Sequence, residues 1–349
     1  MTDASQTPTR HPRRGLAAPF VIVGLLLAAW TGWWFWLTHQ IETRIEAQVE
    51  ALRQDGWTIT HADVTTTGWP FRARISIPHA EILAPSGHGI AAPELVAEAN
   101  AYNPDRWVVI APDGLTLTRA GKGKVGVGGD GLRLSISHLR DRFPDLRAEM
   151  IRPTFTAHGD AEPFPIASAE RIQLETRPHL TEGKASTDEM DVLFRLVDAR
   201  GRPGGPVEGA TGQGRLSADI EATILGASRL QGMDSAGVFA AWTAAGGRFT
   251  DVRGRLKAGD SSAVISSDAL SAGTDGRLEG SLALTAERPM AAIAGLARSR
   301  SGAVNRLGAA GAAAATAASG DRGVDLVVQF RDGRTWLGPF ALAPAPRLF

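Results

Sequence analysis

Hydrophobic and polar positions change their period twice along the chain. From Leu16 to Leu37 there are 22 residues without a charge. As a helix this run reaches roughly 33 Å, enough to cross the hydrocarbon core of a membrane. From Thr38 to Gln54 the apolar positions thin to Ile41, Ile45, Val49 and Leu52, with charges between. That spacing predicts a helix continuing into water with one apolar stripe, packed on the domain that follows. Asp55-Gly56 is a stop signal. After Trp57 the period drops to two. Phe71, Ala73, Ile75 and Ile77 alternate with Arg72, Arg74 and Ser76, and Leu132, Leu134 and Ile136 with Arg133, Ser135 and Ser137. Met190, Val192, Phe194 and Leu196 follow the same rule, broken by Leu193. The cleanest run is Leu216, Ala218, Ile220, Ala222 and Ile224, and Val324, Leu326, Val328 and Phe330 come later. Such alternation marks strands with one dry and one wet face.

The expected fold is mainly β: an N-terminal transmembrane helix, then an elongated, curled antiparallel β-sheet ectodomain with a few helices. The expected divisions are a tail over 1–15, a membrane helix over 16–37 and a juxtamembrane amphipathic helix over 38–56. A first β half over 57–200 and a second over 215–349 flank a Gly- and Pro-rich linker or loop at 201–214. Helical insertions are expected near 235–245, around Trp242, and near 288–318, where the Ala-rich tail from Ala309 to Ala318 reads as a loop.

The flanks of the apolar run set its orientation. Arg10, Arg13 and Arg14 precede it, while Glu42, Glu46, Glu50 and Asp55 outweigh Arg44 and Arg53 after it. The positive-inside rule then puts the N-terminus in the cytoplasm and the ectodomain in the periplasm, with one pass through the bacterial inner membrane. Trp30, Trp33, Trp34 and Trp36 cluster at the outer end, where indole rings favour the headgroup zone. A cleaved signal peptide would be shorter and end in small residues; this run ends in Trp, Phe and Leu, so an uncleaved anchor is expected.

Composition removes several classes of chemistry. The chain has no Cys, so it has no thiolate nucleophile, disulfide or Cys-ligated metal. Its formal net charge is zero, without the basic stripe that nucleic acid demands. Gly121 to Gly129 is the densest Gly run, but Val125 stands where a phosphate loop needs Ser or Thr, so it is expected to be a glycine-rich hairpin or bulged strand. The eight His form no metal-binding spacing, and no Gly-x-Ser-x-Gly elbow occurs. Asp188, Glu189 and Asp191 are expected in a solvated turn leading into a strand. No catalytic, cofactor or metal site is expected. Outward Arg residues, including Arg72, Arg74, Arg133, Arg171 and Arg277, suit solubility and edge protection better than contact with anionic lipid.

Gly68-Trp69-Pro70-Phe71-Arg72 follows the anchor at short range. Pro70 cannot donate to a ladder and Gly68 permits a turn, so a hairpin corner plugged by Trp69 is expected, with Phe71 starting the inward alternation. After it come Ala92-Pro93-Glu94-Leu95, Tyr102-Asn103-Pro104, Trp107-Val108-Val109, and a close with Gly338-Pro339 and Pro344-Ala345-Pro346. This order resembles a bacterial envelope family known as domain of unknown function 2125, from about Ile41 to the end. The family has no established activity, so the resemblance implies an anchored envelope protein and lends no catalytic residues. Trp242, Gly246-Gly247 and Gly276-Arg277-Leu278-Glu279-Gly280 also look like the repetitive strands of AsmA-like envelope proteins, a group associated with outer-membrane assembly and lipid passage. The function expected is non-enzymatic: binding of lipid or another apolar ligand in the curled sheet, whose inner face is rich in Ala and Leu. The alternatives are a scaffold docking envelope partners and, third, a hydrolase with an unrecognised site.

Overall fold

The computed structural model describes residues 14–230, 238–318 and 323–348. Arg13 lies outside them, as does the 235–237 part of the first expected helical insertion. Helix α1 (Arg14–Gln54) is one continuous helix of 41 residues, with Pro19 near its start. It ends as the sequence indicates. Gly56 takes φ +88°, which a residue with a Cβ resists, and the Trp57 N–H then reaches back to the Leu52 carbonyl.

The first strands are β1 (Thr58–Thr60), β2 (Thr65–Thr67), β3 (Arg72–Leu83), β4 (Gly89–Asn100), β5 (Asn103–Ile110), β6 (Leu115–Arg119) and β7 (Gly123–Gly128). Next come β8 (Gly131–Ser137), β9 (Asp145–Ile151), β10 (Thr154–Ala157), β11 (Ile166–Ser168), β12 (Arg171–Thr181) and β13 (Lys184–Gly201). Helix α2 (Pro206–Thr211) leads to β14 (Leu216–Leu225), helix α3 (Val238–Ala244), β15 (Arg248–Ala258), β16 (Ser261–Ala272) and β17 (Leu278–Glu287). Helices α4 (Pro289–Ala297) and α5 (Arg306–Ala317) precede β18 (Val324–Arg331), β19 (Arg334–Leu337) and β20 (Phe340–Pro344).

The strands join in one antiparallel, curled sheet. Its spine runs β3–β4–β5–β8–β9–β12–β13–β14–β15–β16–β17–β18–β19–β20. A second path leaves β4 and returns to β13 through β6, β7, β10 and β11. These four strands form an arch over part of the spine and close a ring. Every strand around the ring then has partners on both sides, which removes free edges there. The Gly run falls in β7, inside the arch. There Gly126 faces the His158 ring so closely that an added Cβ would displace the imidazole. Ala92, Ala111, Val127 and Leu132 fill the ring, with Leu95, Leu117, Met150 and Phe155 around them. Phe155 stacks on Phe164 at 4.7 Å and continues this core towards Leu196 and Ala218.

Strands β13 and β14 pair from Glu189↔Leu225 to Ala199↔Leu216, so the sheet runs unbroken past residues 201–214. Helix α2 occupies that segment and crosses α4 where Gly209 and Gly295 meet, each leaving no room for a Cβ on the other. The Ala-rich tail is helix and not the expected loop. Asn305 caps α5 by accepting from the Gly308 N–H, Ala309 is buried, and Ala312 and Ala313 pack under Leu337 and Phe340. Alanine forms helix at the lowest entropic cost, and burial of one face adds the rest.

Candidate functional site

Register places one apolar row across twelve spine strands. Ile75, Ala97, Val109, Leu134, Ala148, Leu174, Phe194, Ile220, Gly254, Ile265, Leu284 and Leu326 stand directly opposite one another in succession. Side chains alternate between faces, so the row belongs to a single face. Neighbouring positions on the other face include Arg74, Glu98, Arg147, Glu175, Glu221 and Arg253, again opposite one another.

The apolar face is covered unevenly. The arch seals one end. At the other end α3 brings Trp242, wholly buried, against Ile224 and Phe249, and its indole Nε1 donates to the Leu225 carbonyl at 2.7 Å. Helices α4 and α5 cover Leu326 and Val328. Between these caps Leu134, Ala148, Phe194 and Ile220 are only half-buried and Leu174 is 43% exposed, while Ile265, farther along the row, is buried. Leaving such side chains in water forgoes roughly 25 cal/mol per Å² of apolar surface, so a partly open apolar strip is a candidate ligand surface.

The polar face also carries concavities. One of about 680 Å³ is lined by Arg147, Glu175, Arg177, His179, Asp191, Glu221, Asp251 and Arg253. Asp191, in the middle of β13 and not in the expected turn, lies opposite both Arg177 and Thr223. His179 Nδ1 is 2.7 Å from Asp191 Oδ1, and this hydrogen bond raises the imidazole pKa above the usual histidine range, with burial opposing it. The Thr223 hydroxyl donates to Asp191, at 3.2 Å, and not to His179. The cluster is therefore a cross-strand ladder of charge pairs; the imidazole does not address the hydroxyl as a base addresses a nucleophile. Farther along, Glu149 is 3% exposed between Arg133, at 2.7 Å from its Nε, and Arg171, at 3.4 Å. Asp188 is held below the usual carboxylate range by its hydrogen bonds to Ser228. Among the described residues no group of three His, Asp or Glu is placed to hold a metal ion.

The anchor residues and the Gly-Trp-Pro-Phe-Arg element meet, although the sequence treated them separately. Trp30 Nε1 donates to the Pro70 carbonyl at 2.7 Å, and Trp34 Nε1 to the Arg72 carbonyl at 2.8 Å. Trp34, Leu37 and Ala101 form a buried cluster with Trp30 and Ile41. Trp33 and Trp36 remain exposed. Two expectations for the motif are corrected. Trp69 does not plug the corner; it is 48% exposed. Phe71 does not start the inward alternation; it is 66% exposed, and the buried positions begin at Ala73 and Ile75. The indoles of α1 occupy the corner instead, through their hydrogen bonds to the Pro70 and Arg72 carbonyls. Arg72 and Arg74 point to solvent and share Glu98. Arg277 is the exception among the outward Arg residues, donating to the Ala345 carbonyl at 2.8 Å.

An apolar helix long enough to cross a membrane, packed on a curled antiparallel sheet with a partly open apolar face, defines a class of candidate membrane-anchored β-sheet proteins. Within it the chain belongs to the family of domain of unknown function 2125, described as an uncharacterized protein conserved in bacteria, whose model matches residues 34–346. No curated protein and no solved structure matches the chain.

Proposed function

We propose that this is a non-enzymatic cell-envelope protein that holds a lipid acyl chain, or an apolar ligand of similar shape, along the open part of the apolar row. Helix α1 anchors it in the inner membrane with the N-terminus in the cytoplasm and the sheet in the periplasm, in keeping with the Arg residues before the apolar run. The observation that carries the proposal is the partly exposed strip from Leu134 through Leu174 to Ile220, closed at both ends by packed core yet left open between them. A chain of methylenes gains about 0.8 kcal/mol per buried CH₂ on such a surface and needs no polar partner along its length. Placing full-length protein in nanodiscs that contain a phospholipid with a diazirine on its acyl chain tests this. Photolysis is expected to leave adducts on peptides bearing Leu174 and Phe194, and Leu174→Asp is expected to remove them without loss of fold, because that side chain is exposed. Adducts confined to α1 would refute the proposal.

A further inference from the structure

The turns at 68–72 and 100–103 are fixed at a known height on α1. The Trp30 and Trp34 indoles hold the Pro70 and Arg72 carbonyls, and Ala101, fully buried, packs against Trp34 and Leu37. Counted from Leu16, Trp30 lies about 21 Å and Trp34 about 27 Å along a helix rising ~1.5 Å per residue. A hydrocarbon core is about 30 Å thick. A bilayer entered at Leu16 therefore reaches the level of these turns before it ends, and tilting the helix only lowers them further.

The surface at that height has the chemistry of a membrane interface. Trp69, Phe71 and Tyr102, the only Tyr in the chain, project outward at 48%, 66% and 68% exposure. Trp33, Phe35 and Trp36 are exposed on α1 at the same level. Amphipathic aromatic rings gain at the headgroup boundary and lose in water. At the first residues of β3, Arg72 and Arg74 share the single carboxylate of Glu98, which leaves a positive charge facing a phosphate layer.

We propose that the end of the sheet is seated in the outer-leaflet interface, with Trp69, Phe71 and Tyr102 completing an aromatic collar begun by Trp33 and Trp36. The collar goes beyond ligand binding and rests only on α1 crossing the bilayer. It sets the near end of the sheet, at Trp69, Phe71 and Tyr102, against lipid headgroups and not against bulk water.

Because the chain lacks Cys, single labels can be introduced without removing any residue. Phe71→Cys and Tyr102→Cys, with Leu26→Cys and Lys122→Cys as controls on α1 and on the far turn of the arch, are spin-labelled in full-length protein in nanodiscs of phosphatidylethanolamine and phosphatidylglycerol. Collision with oxygen relative to a water-soluble nickel chelate is expected to be several-fold higher at 71 and 102 than at 122, and lower than at 26. Labels at 71 and 102 as open to nickel as the label at 122, with 26 still in lipid, would overturn the collar alone. A label at 26 open to nickel would overturn the membrane placement of α1 itself. Shielding of 71 and 102 from both reagents would assign the patch to a protein partner and overturn the proposal as well.

Discussion

Trp34 is the residue on which the docking of the sheet against α1 turns, and its removal has a calculable effect. The side chain is 5% exposed and its Nε1 donates to the Arg72 carbonyl at 2.8 Å. Trp34→Phe keeps most of the ring volume and deletes the donor, leaving a backbone acceptor without its partner, which costs about 1–3 kcal/mol. Trp34→Ala also removes the buried ring and costs about 3–5 kcal/mol. Neither change reaches the closed ring of strands, which contains no residue of α1. The loss should therefore appear as local opening and not as global unfolding. The reporting amides are those of Arg72, which donates to the Gly68 carbonyl, and Ala101, which donates to Phe71, both at 2.9 Å. Hydrogen exchange of the full chain in nanodiscs is expected to quicken there by about 30-fold for a 2 kcal/mol loss in Trp34→Phe, and by more than about 100-fold in Trp34→Ala. Amides of β12, β13 and β14 should keep their rates. Exchange at 68–73 and 100–102 that stays within about twofold of the parent in Trp34→Ala would show that the helix does not hold this corner.

The remaining predictions concern the sheet and its helices. Asp191→Asn should lower the His179 pKa towards the ordinary histidine range. Because the folded pKa is raised, the pair stabilises below the unfolded value, and that stability fades as pH rises through the folded one; an NMR titration of His179 unchanged by the substitution would count against the ladder. Gly295→Ala should force a Cβ onto the Gly209 carbonyl and cost about 1–3 kcal/mol, read as a lower thermal midpoint, whereas a variant as stable as the parent would deny the close crossing of α2 and α4. Glu149→Gln should cost about 1–3 kcal/mol, more than loss of the exposed Arg74–Glu98 pair, worth about 1 kcal/mol or less; equal losses in chemical denaturation would remove the distinction drawn from burial.

Much of the sheet is legible along the chain where a strand keeps strict alternation, as in Leu216 to Ile224. It is less legible where the register slips. In β15, Asp251 takes φ +50° and the pairing with β14 shifts between Glu221 and Thr223, so Phe249 and then Val252, Gly254 and Leu256 do not read as one period. Leu193 breaks the pattern for a different reason: it stands on the polar face opposite Glu175 and Glu221, half-buried among longer charged side chains. The Ala309–Ala318 stretch looked like a loop because alanine carries little hydrophobic contrast, and only its packing under Leu337 and Phe340 marks the buried side.

Local patterning was sufficient for the apolar helix, its continuation to Gln54, the mainly β class and the family motif, since these depend on neighbours a few residues apart. The arch that closes β4 to β13, the twelve-strand apolar row and the capture of residues 68–72 by the indoles of α1 depend on which distant segments pair, as where Trp30 meets Pro70 and Trp34 meets Arg72, 40 and 38 residues apart in sequence. No periodicity encodes such pairings. They follow from how a twisting sheet curls until its apolar face meets cover, and from which backbone carbonyls are left for a tryptophan to satisfy.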